Sequence, residues 1–365
     1  MITKVIMFLM AGFMVWGVID KIVFNNKFGY GDQFDEGMLA MGVMATSMVG
    51  FMCFAPVLGD VLLPLVGPAF EAVGADPSML AGSILGIDMG GYPLAQSMAS
   101  SPEIAVFAGG IYASMMGVCI TFAIPVALGI LQKDDYPYLA RGIMCGIIAI
   151  PLACLLGGLM MGLDFIVVVK NLIPAGIVSI LLIIGLLTIP TGMMNGFAVF
   201  SKIITFLVHV TLAIAIFTEL TGIVIVEGMA PIGPQLEVVG IIGITLAGAY
   251  PLVKFITNTF QKPLQSLGGL LKVDENTISG IIACVANSLP MLGLVKDMTP
   301  KGKVMAIAFM VPAAFVFGDH LAYASANIPE YMVPLIVAKL VGGFIAIVVA
   351  MALSKNLDSK KEIGE

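Results

Sequence analysis

Charge is what this sequence has least of. Only 11% of its 365 residues are Asp, Glu, Lys or Arg, where a soluble domain carries about 25%. That scarcity excludes an ordinary water-soluble globular protein. Metal spacing is missing as well. The five cysteines, Cys53, Cys119, Cys145, Cys154 and Cys284, are scattered through apolar stretches, without the close pairs of a metal centre or the pattern of a disulfide framework. No cofactor or metal is therefore expected. No phosphate loop or nucleic-acid motif occurs, so nucleic acid is excluded as a partner. The short alternating strands of a membrane β-barrel are absent too. The N-terminal stretch MITKVIMFLMAGFMVWGVIDKIVF has no small-residue cleavage site and ends in charged residues, so it reads as a first spanning helix rather than a signal peptide.

What is present is apolar length. Hydrophobic residues make up 59% of the chain. Eleven apolar segments follow one another, at 3–24, 37–58, 78–99, 103–131, 137–162, 171–189, 199–226, 236–257, 277–295, 303–326 and 331–353. Runs of about 20 apolar residues are long enough to cross a bilayer. The expected class is an all-α polytopic membrane protein with the lipid bilayer as its surroundings. Gly42, Gly86 and Gly90 are spaced like tight helix-packing glycines, a pattern compatible with a homo-oligomer. The 26 methionines read as packing and lipid-facing residues, since a copper relay would want them at a repeated spacing.

A constant offset of 198 residues relates the two halves. Thr3 to Leu9 falls on Ser201 to Leu207, Gly42 on Gly240, Asp76 on Asp274 and Gly82 on Gly280. Ser101-Pro102 falls on Thr299-Pro300, and Ala140-Arg141 on Ala338-Lys339. The expected organisation is a first repeat at 1–160, a linking helix at 161–198, a second repeat at 199–353 and a cytoplasmic tail at 354–365.

Two segments do not look like plain spanning helices. ILGIDMGGYPLAQSMA, Ile84 to Ala99, carries an aspartate, paired glycines and a proline. Its repeat partner, Ser279 to Met298, carries Asn287, Ser288 and Pro290. If all eleven segments span, the 17 basic residues divide nine to eight across the membrane, which is no bias. If 78–99 and 277–295 are re-entrant, only Lys4, Lys170 and Lys339 lie outside and the other 14 of the 17 are cytoplasmic, as the positive-inside rule requires. The loops 59–77, 227–235 and 326–330 then fall outside. This arrangement has about nine spanning helices and two re-entrant or broken hairpins, with the N-terminus outside and the C-terminus cytoplasmic. The repeats are then inverted, a recurrent transporter plan with its site at the midplane. Gly90-Gly91 and Asn287-Ser288 would be the hairpin tips.

Ionisable groups at membrane depth mark function by default. Asp88, at a hairpin tip and four residues before Tyr92, suits a small ammonium ion through charge and cation–π contact; capping the turn is the competing role. Gln96, Asn287 and Ser288 are expected as hydrogen-bonding liners, with Asn195 beside them. Glu219, in an otherwise apolar helix, is a binding or interfacial carboxylate. Asp319 and His320 form a gating pair or proton relay, or a structural hydrogen-bonded pair. His209 is expected as a satisfied interior group, and Lys339 as a snorkelling lysine.

The string GIDMGGYPLAQ, Gly86 to Gln96, resembles the signature of the bacterial ethanolamine-utilisation membrane transporter family. The Asp20 to Asn25 pattern D-K-I-x-x-N and the segment GDHLAYA, Gly318 to Ala324, are similar to that family too, and the likeness covers essentially the whole chain. The resemblance implies a permease or facilitator in the bacterial inner membrane. It would take up ethanolamine, as ethanolammonium, for breakdown by an ammonia-lyase inside a microcompartment. It supplies no binding residues, so the site residues above rest on their own chemistry. Another small polar solute, such as a nucleoside or amino acid, is the alternative substrate class. An intramembrane enzyme would need a linked nucleophile and base, and no spacing connects Ser100, Ser101 and His320 in that way.

Overall fold

The computed structural model describes residues 2–271 and 273–354; residues 355–365 of the expected tail lie outside them. The chain is helical almost throughout, and no strand occurs among the described residues. Among the described residues, eight helices are long and apolar enough to cross a membrane: Thr3–Val23, Tyr30–Ala72, Pro102–Ile130, Lys133–Met160, Phe165–Thr188, Pro190–Thr221, Ile232–Thr259 and Pro329–Leu353. The protein is an all-α polytopic membrane protein. Some of its helix ends carry caps that serve the free backbone groups. Asp164 accepts from the Ile166 N–H at 2.8 Å, and Gly222 closes the Pro190–Thr221 helix in a left-handed conformation.

Burial sorts the helices into centre and rim. Pro102–Ile130 and Lys133–Met160 are the most buried of the eight, and Thr3–Val23 and Pro190–Thr221 among the least. The rim helices turn large apolar side chains outward, such as Leu181, Phe206 and Leu220. In a lipid-embedded chain that is the low-energy arrangement, because acyl chains solvate them.

The segments 78–99 and 277–295 are not among the eight spans. Each is a pair of short helices, Met79–Ile84 with Gly91–Met98 and Glu275–Cys284 with Ser288–Leu294. One carboxylate ties both ends of each pair. Asp76 accepts from the Ser78 N–H at 2.9 Å and hydroxyl at 2.5 Å. Its other oxygen accepts from the Ser100 N–H at 3.0 Å and hydroxyl at 2.6 Å. Asp274 accepts in the same way from Thr277 and from the Thr299 N–H at 2.8 Å and hydroxyl at 2.7 Å. A straight helix of about 22 residues would separate its ends by roughly 33 Å. Ends that share one carboxylate belong to a segment that doubles back.

The following helices begin alike. Ser101 caps a helix whose first residue is Pro102, and Thr299 caps one that begins at Pro300. Beyond that point they differ. Pro102–Ile130 stays continuous but winds as π-helix over Phe107–Gly117 and Cys119–Ala123. Its counterpart breaks after Ala313 and restarts at Asp319. The unwound stretch lies beside the second hairpin's tip, where the Phe315 and Phe317 N–H groups donate to the carbonyls of Cys284 and Val285 at 3.1 and 2.8 Å. In the first half Gly117 takes the position of Phe315, and a Cβ there would overlap the Leu85 carbonyl.

Three expectations change. The loop at 59–77 is mostly helix, continuous to Ala72 despite Pro56, Pro64 and Pro68, since membrane helices tolerate proline. Segment 303–326 is two helices rather than one. Gly86 and Gly90 are not a helix-packing pair: Gly86 is extended, and Gly90 has φ +93 where the tip reverses against Phe51.

Burial raises the Asp274 carboxyl, yet the hydrogen bonds from Thr299 and Thr277 outweigh it and hold the group below its ordinary value. Its stabilising contribution is therefore complete at neutral pH and is lost only as pH falls below about 4. Asp76→Ala and Asp274→Ala each orphan a set of tied N–H and hydroxyl groups. Each is expected to lower the thermal midpoint of the detergent-purified protein, by a destabilisation of roughly 2–4 kcal/mol. An unchanged midpoint in both would show that the ties do not hold the hairpins.

Candidate functional site

Helix breaks leave backbone and side-chain polar groups exposed to one another, and here they converge. The first hairpin's tip is the 3-10 turn Ile87–Met89, followed by Gly90. The short helix Asp319–Asn327 packs on it. This contact brings Asp88 to His320, with Oδ1 and Nε2 3.9 Å apart, beyond hydrogen-bonding distance. Tyr92 stands edge-on to Tyr323 at 6.4 Å between ring centroids. Phe315 lies against His320 at 5.3 Å and against Phe122 at 5.4 Å. The second hairpin reaches the same place, since Ala286 abuts Gly318 closely enough to exclude a Cβ there.

The polar atoms at this crossing are unusual. Asp88 Oδ1, both ring nitrogens of His320, the Tyr323 hydroxyl and the Ser288 hydroxyl are buried without a hydrogen-bond partner in the protein. Each such group costs about 1–3 kcal/mol, and native interiors hold few of them. Apart from the Ser354 hydroxyl, they are all the orphaned buried side-chain atoms found among the described residues. Their concentration where broken segments meet sets this place apart from the rest of the described interior. Phe315 adds strain, with φ +62, a conformation that a non-glycine residue adopts at a cost.

The sequence-derived candidates separate on this geometry. Asp88, Tyr92 and His320 lie at the crossing, and Ser288 is buried at the second hairpin's tip, where Ser288–Leu294 begins. Asp319 sits beside it, half-buried, and accepts from the Tyr250 hydroxyl at 3.1 Å. Asn287 acts as a helix cap, its side chain accepting from the Leu289 N–H at 2.9 Å. Gln96 and Glu219 are exposed rather than gathered into the cluster, as is Asn195. His209 is not an interior group: it is exposed, and its Nδ1 pairs with the Thr205 carbonyl at 2.7 Å. Lys339 does not snorkel. It is fully buried and donates to the Ser114 carbonyl at 2.6 Å, an acceptor in the π-helical stretch where regular pairing is relaxed.

Sequence reasoning missed Tyr323. Its signal was present in GDHLAYA, where it follows His320 by one helical turn. The Asp20 motif is architectural. Asp20 is buried and accepts from the Phe28 and Tyr30 N–H groups at 3.1 and 2.7 Å, shaping the turn in which Asn25 and Asn26 take positive φ. The five cysteines are free and buried. No group of three or more potential metal ligands occurs among the described residues.

The family description that matches residues 2–353 reads "Ethanolamine utilisation protein, EutH". The chain belongs to the EutH family. A Listeria monocytogenes relative named "Probable ethanolamine permease EutH" is 46% identical over 100% of this chain and 97% of its own length. A Salmonella typhimurium relative with the same name is 41% identical over 98% of this chain and 97% of its own. A Bacillus subtilis relative, "Uncharacterized protein YxeR", is 40% identical over 99% of this chain and 97% of its own. No solved structure matches. The GIDMGGYPLAQ and GDHLAYA segments of this EutH-family chain are the two that supply Asp88, Tyr92, His320 and Tyr323.

Tyr323→Phe keeps the ring and removes an orphaned hydroxyl. It is expected to leave the thermal midpoint of the ligand-free protein unchanged or raised, by up to about 1–3 kcal/mol of stability. A clear fall would show that the hydroxyl already has a structural partner.

Proposed function

We propose that this protein is a permease that carries ethanolamine, as the ethanolammonium ion, into a bacterial cell across the cytoplasmic membrane. The observation that carries the reading is the orphaned set at the crossing. Asp88 offers a carboxylate for the ammonium group, with the Tyr92 and Tyr323 rings beside it for cation–π contact. His320, the Tyr323 hydroxyl and the Ser288 hydroxyl offer donors and acceptors for the alcohol. The names of the relatives, probable ethanolamine permeases, point to the same substrate. A small amino alcohol has one positive group and one hydroxyl, and these side chains match both. A nucleoside or larger amino acid finds less support where Gly90 abuts Phe51 and Gly318 abuts Ala286. Transport rather than catalysis is the reading, and no cofactor enters it.

The inverted-repeat topology belongs to the same proposal. The carboxylate ties at Asp76 and Asp274, the caps at Ser101 and Thr299, and the tip contacts at Gly117 and Phe315 recur at the 198-residue offset. They support two hairpins of common descent. The lysine distribution supports one entering from outside and the other from the cytoplasm, with the N-terminus outside. Alternating access then works by moving one repeat against the other around Asp88 and His320.

Asp88→Asn keeps the shape and removes the charge. A charge-assisted contact is worth about 1.5–3 kcal/mol, so ethanolamine uptake into proteoliposomes is expected to need about 10- to 100-fold more substrate. Wild-type uptake by that variant removes Asp88 from the site. Cysteine placed at Ser101 is expected to react with an impermeant thiol reagent from outside the cell; reaction from the cytoplasm alone overturns the topology.

A further inference from the structure

A cation permease has little apparent use for a cation in its core, yet Lys339 is one. Its side chain is fully buried. One of its three N–H donors is occupied, by the Ser114 carbonyl at 2.6 Å. Its helix, Met332–Leu353, packs against the π-helical stretch and against the short helix Asp319–Asn327 that carries His320. Ser114 stands one turn before Gly117, which abuts the Leu85 carbonyl just ahead of the Asp88 turn, and Asp319 directly precedes His320. A neutral donor would serve the Ser114 carbonyl equally well. A buried ammonium is expensive and persists where another charge compensates it.

The charges of this region decide the matter. Counted in their charged forms, Asp88 and Asp319 bring two negative charges and Lys339 one positive, with the histidine neutral. The sum is a single negative charge. Ethanolammonium, with one positive charge, brings that sum to zero. Without Lys339 the two carboxylates would suit a dication, or would leave a net charge behind when a monocation bound. We infer that Lys339 is a specificity-determining residue, the resident cation that sets the buried site's charge to minus one and matches it to a monovalent amine. This inference rests on the transport reading of the same site. Lys339 does not touch the guest in this account; it acts through the total charge that Asp88 presents.

The test is charge arithmetic in four proteins, read as competition against labelled ethanolamine uptake in proteoliposomes. The competitor is 1,3-diaminopropane, a dication at neutral pH. In Lys339→Met the diamine is expected to compete at least about tenfold better than in wild type. In Asp319→Asn, with Lys339 retained, the site is neutral, and half-saturation by ethanolamine is expected to rise at least about tenfold. Lys339→Met combined with Asp319→Asn returns the sum to minus one. It is expected to regain ethanolamine uptake relative to Asp319→Asn and to lose the diamine preference of Lys339→Met. A purely structural lysine would make the double variant no better than its parents, and that result overturns the inference. So does Lys339→Met with wild-type discrimination between the two amines. If Lys339→Met does not insert, Asp319→Asn decides alone, and unchanged half-saturation there is equally fatal. A wild-type protein that takes up no ethanolamine defeats the transport reading itself. Wild-type uptake with selectivity unmoved in the variants defeats only the role of Lys339.

Discussion

Two backbone hydrogen bonds hold the centre of this molecule together. The N–H groups of Phe315 and Phe317 donate to the carbonyls of Cys284 and Val285, joining one broken helix to the tip of another. Inside a bilayer an unpaired backbone group costs several kcal/mol, so helices break only where another broken segment answers them. That requirement dictates much of the rest. It brings the second hairpin to the Ala314–Gly318 break, sets the helix Asp319–Asn327 against the first hairpin's tip, and so carries His320 to Asp88. The carboxylate ties at Asp76 and Asp274 serve the same end from the outside. They close each hairpin at its base and let its tip lie at depth.

The crossing leaves several of its side chains wanting. Asp88, His320, Tyr323 and Ser288 keep buried polar atoms without protein partners. A structure selected for stability alone would fill such positions with apolar residues or complete the network. The tension between local cost and global fold is what a binding site for a small polar ion predicts. The strained Phe315 and the buried Lys339 belong to the same region, and both are expensive. Most of the orphaned buried side-chain atoms among the described residues fall in this one region, as expected where function overrides local rules.

Much of this was legible in the sequence, for physical reasons that can be named. Spanning helices announce themselves by length and apolarity. The hairpins announced themselves by what a spanning helix cannot use: Asp88, Gly90-Gly91 and Pro93 in one, and Asn287, Ser288 and Pro290 in the other. Asp88, Tyr92, Ser288 and His320 were singled out because polar groups at membrane depth are costly. The misreadings share one cause. Periodicity and composition do not say which way a side chain faces. Glu219 and Gln96 carried the right chemistry but face outward. Asn287 is spent on its own helix. Lys339 looked able to snorkel from eight residues inside its helix, yet it points into the core. Tyr323 was not assigned to the site because a tyrosine in a helix gives no sign that its hydroxyl is unpaired. The break at Ala314–Gly318 was hidden by an unbroken apolar run, in which only Gly318 hinted at it.

The central claim is that the orphaned groups at the crossing are the substrate's own partners. An experimental structure of the protein with ethanolamine bound tests this most directly. The account predicts ligand density between the first hairpin's tip and the Asp319–Asn327 helix. The ammonium nitrogen should lie within hydrogen-bonding distance of Asp88, and the hydroxyl should meet His320, Tyr323 or Ser288. Ethanolamine bound elsewhere, with those atoms still unpartnered, would contradict it.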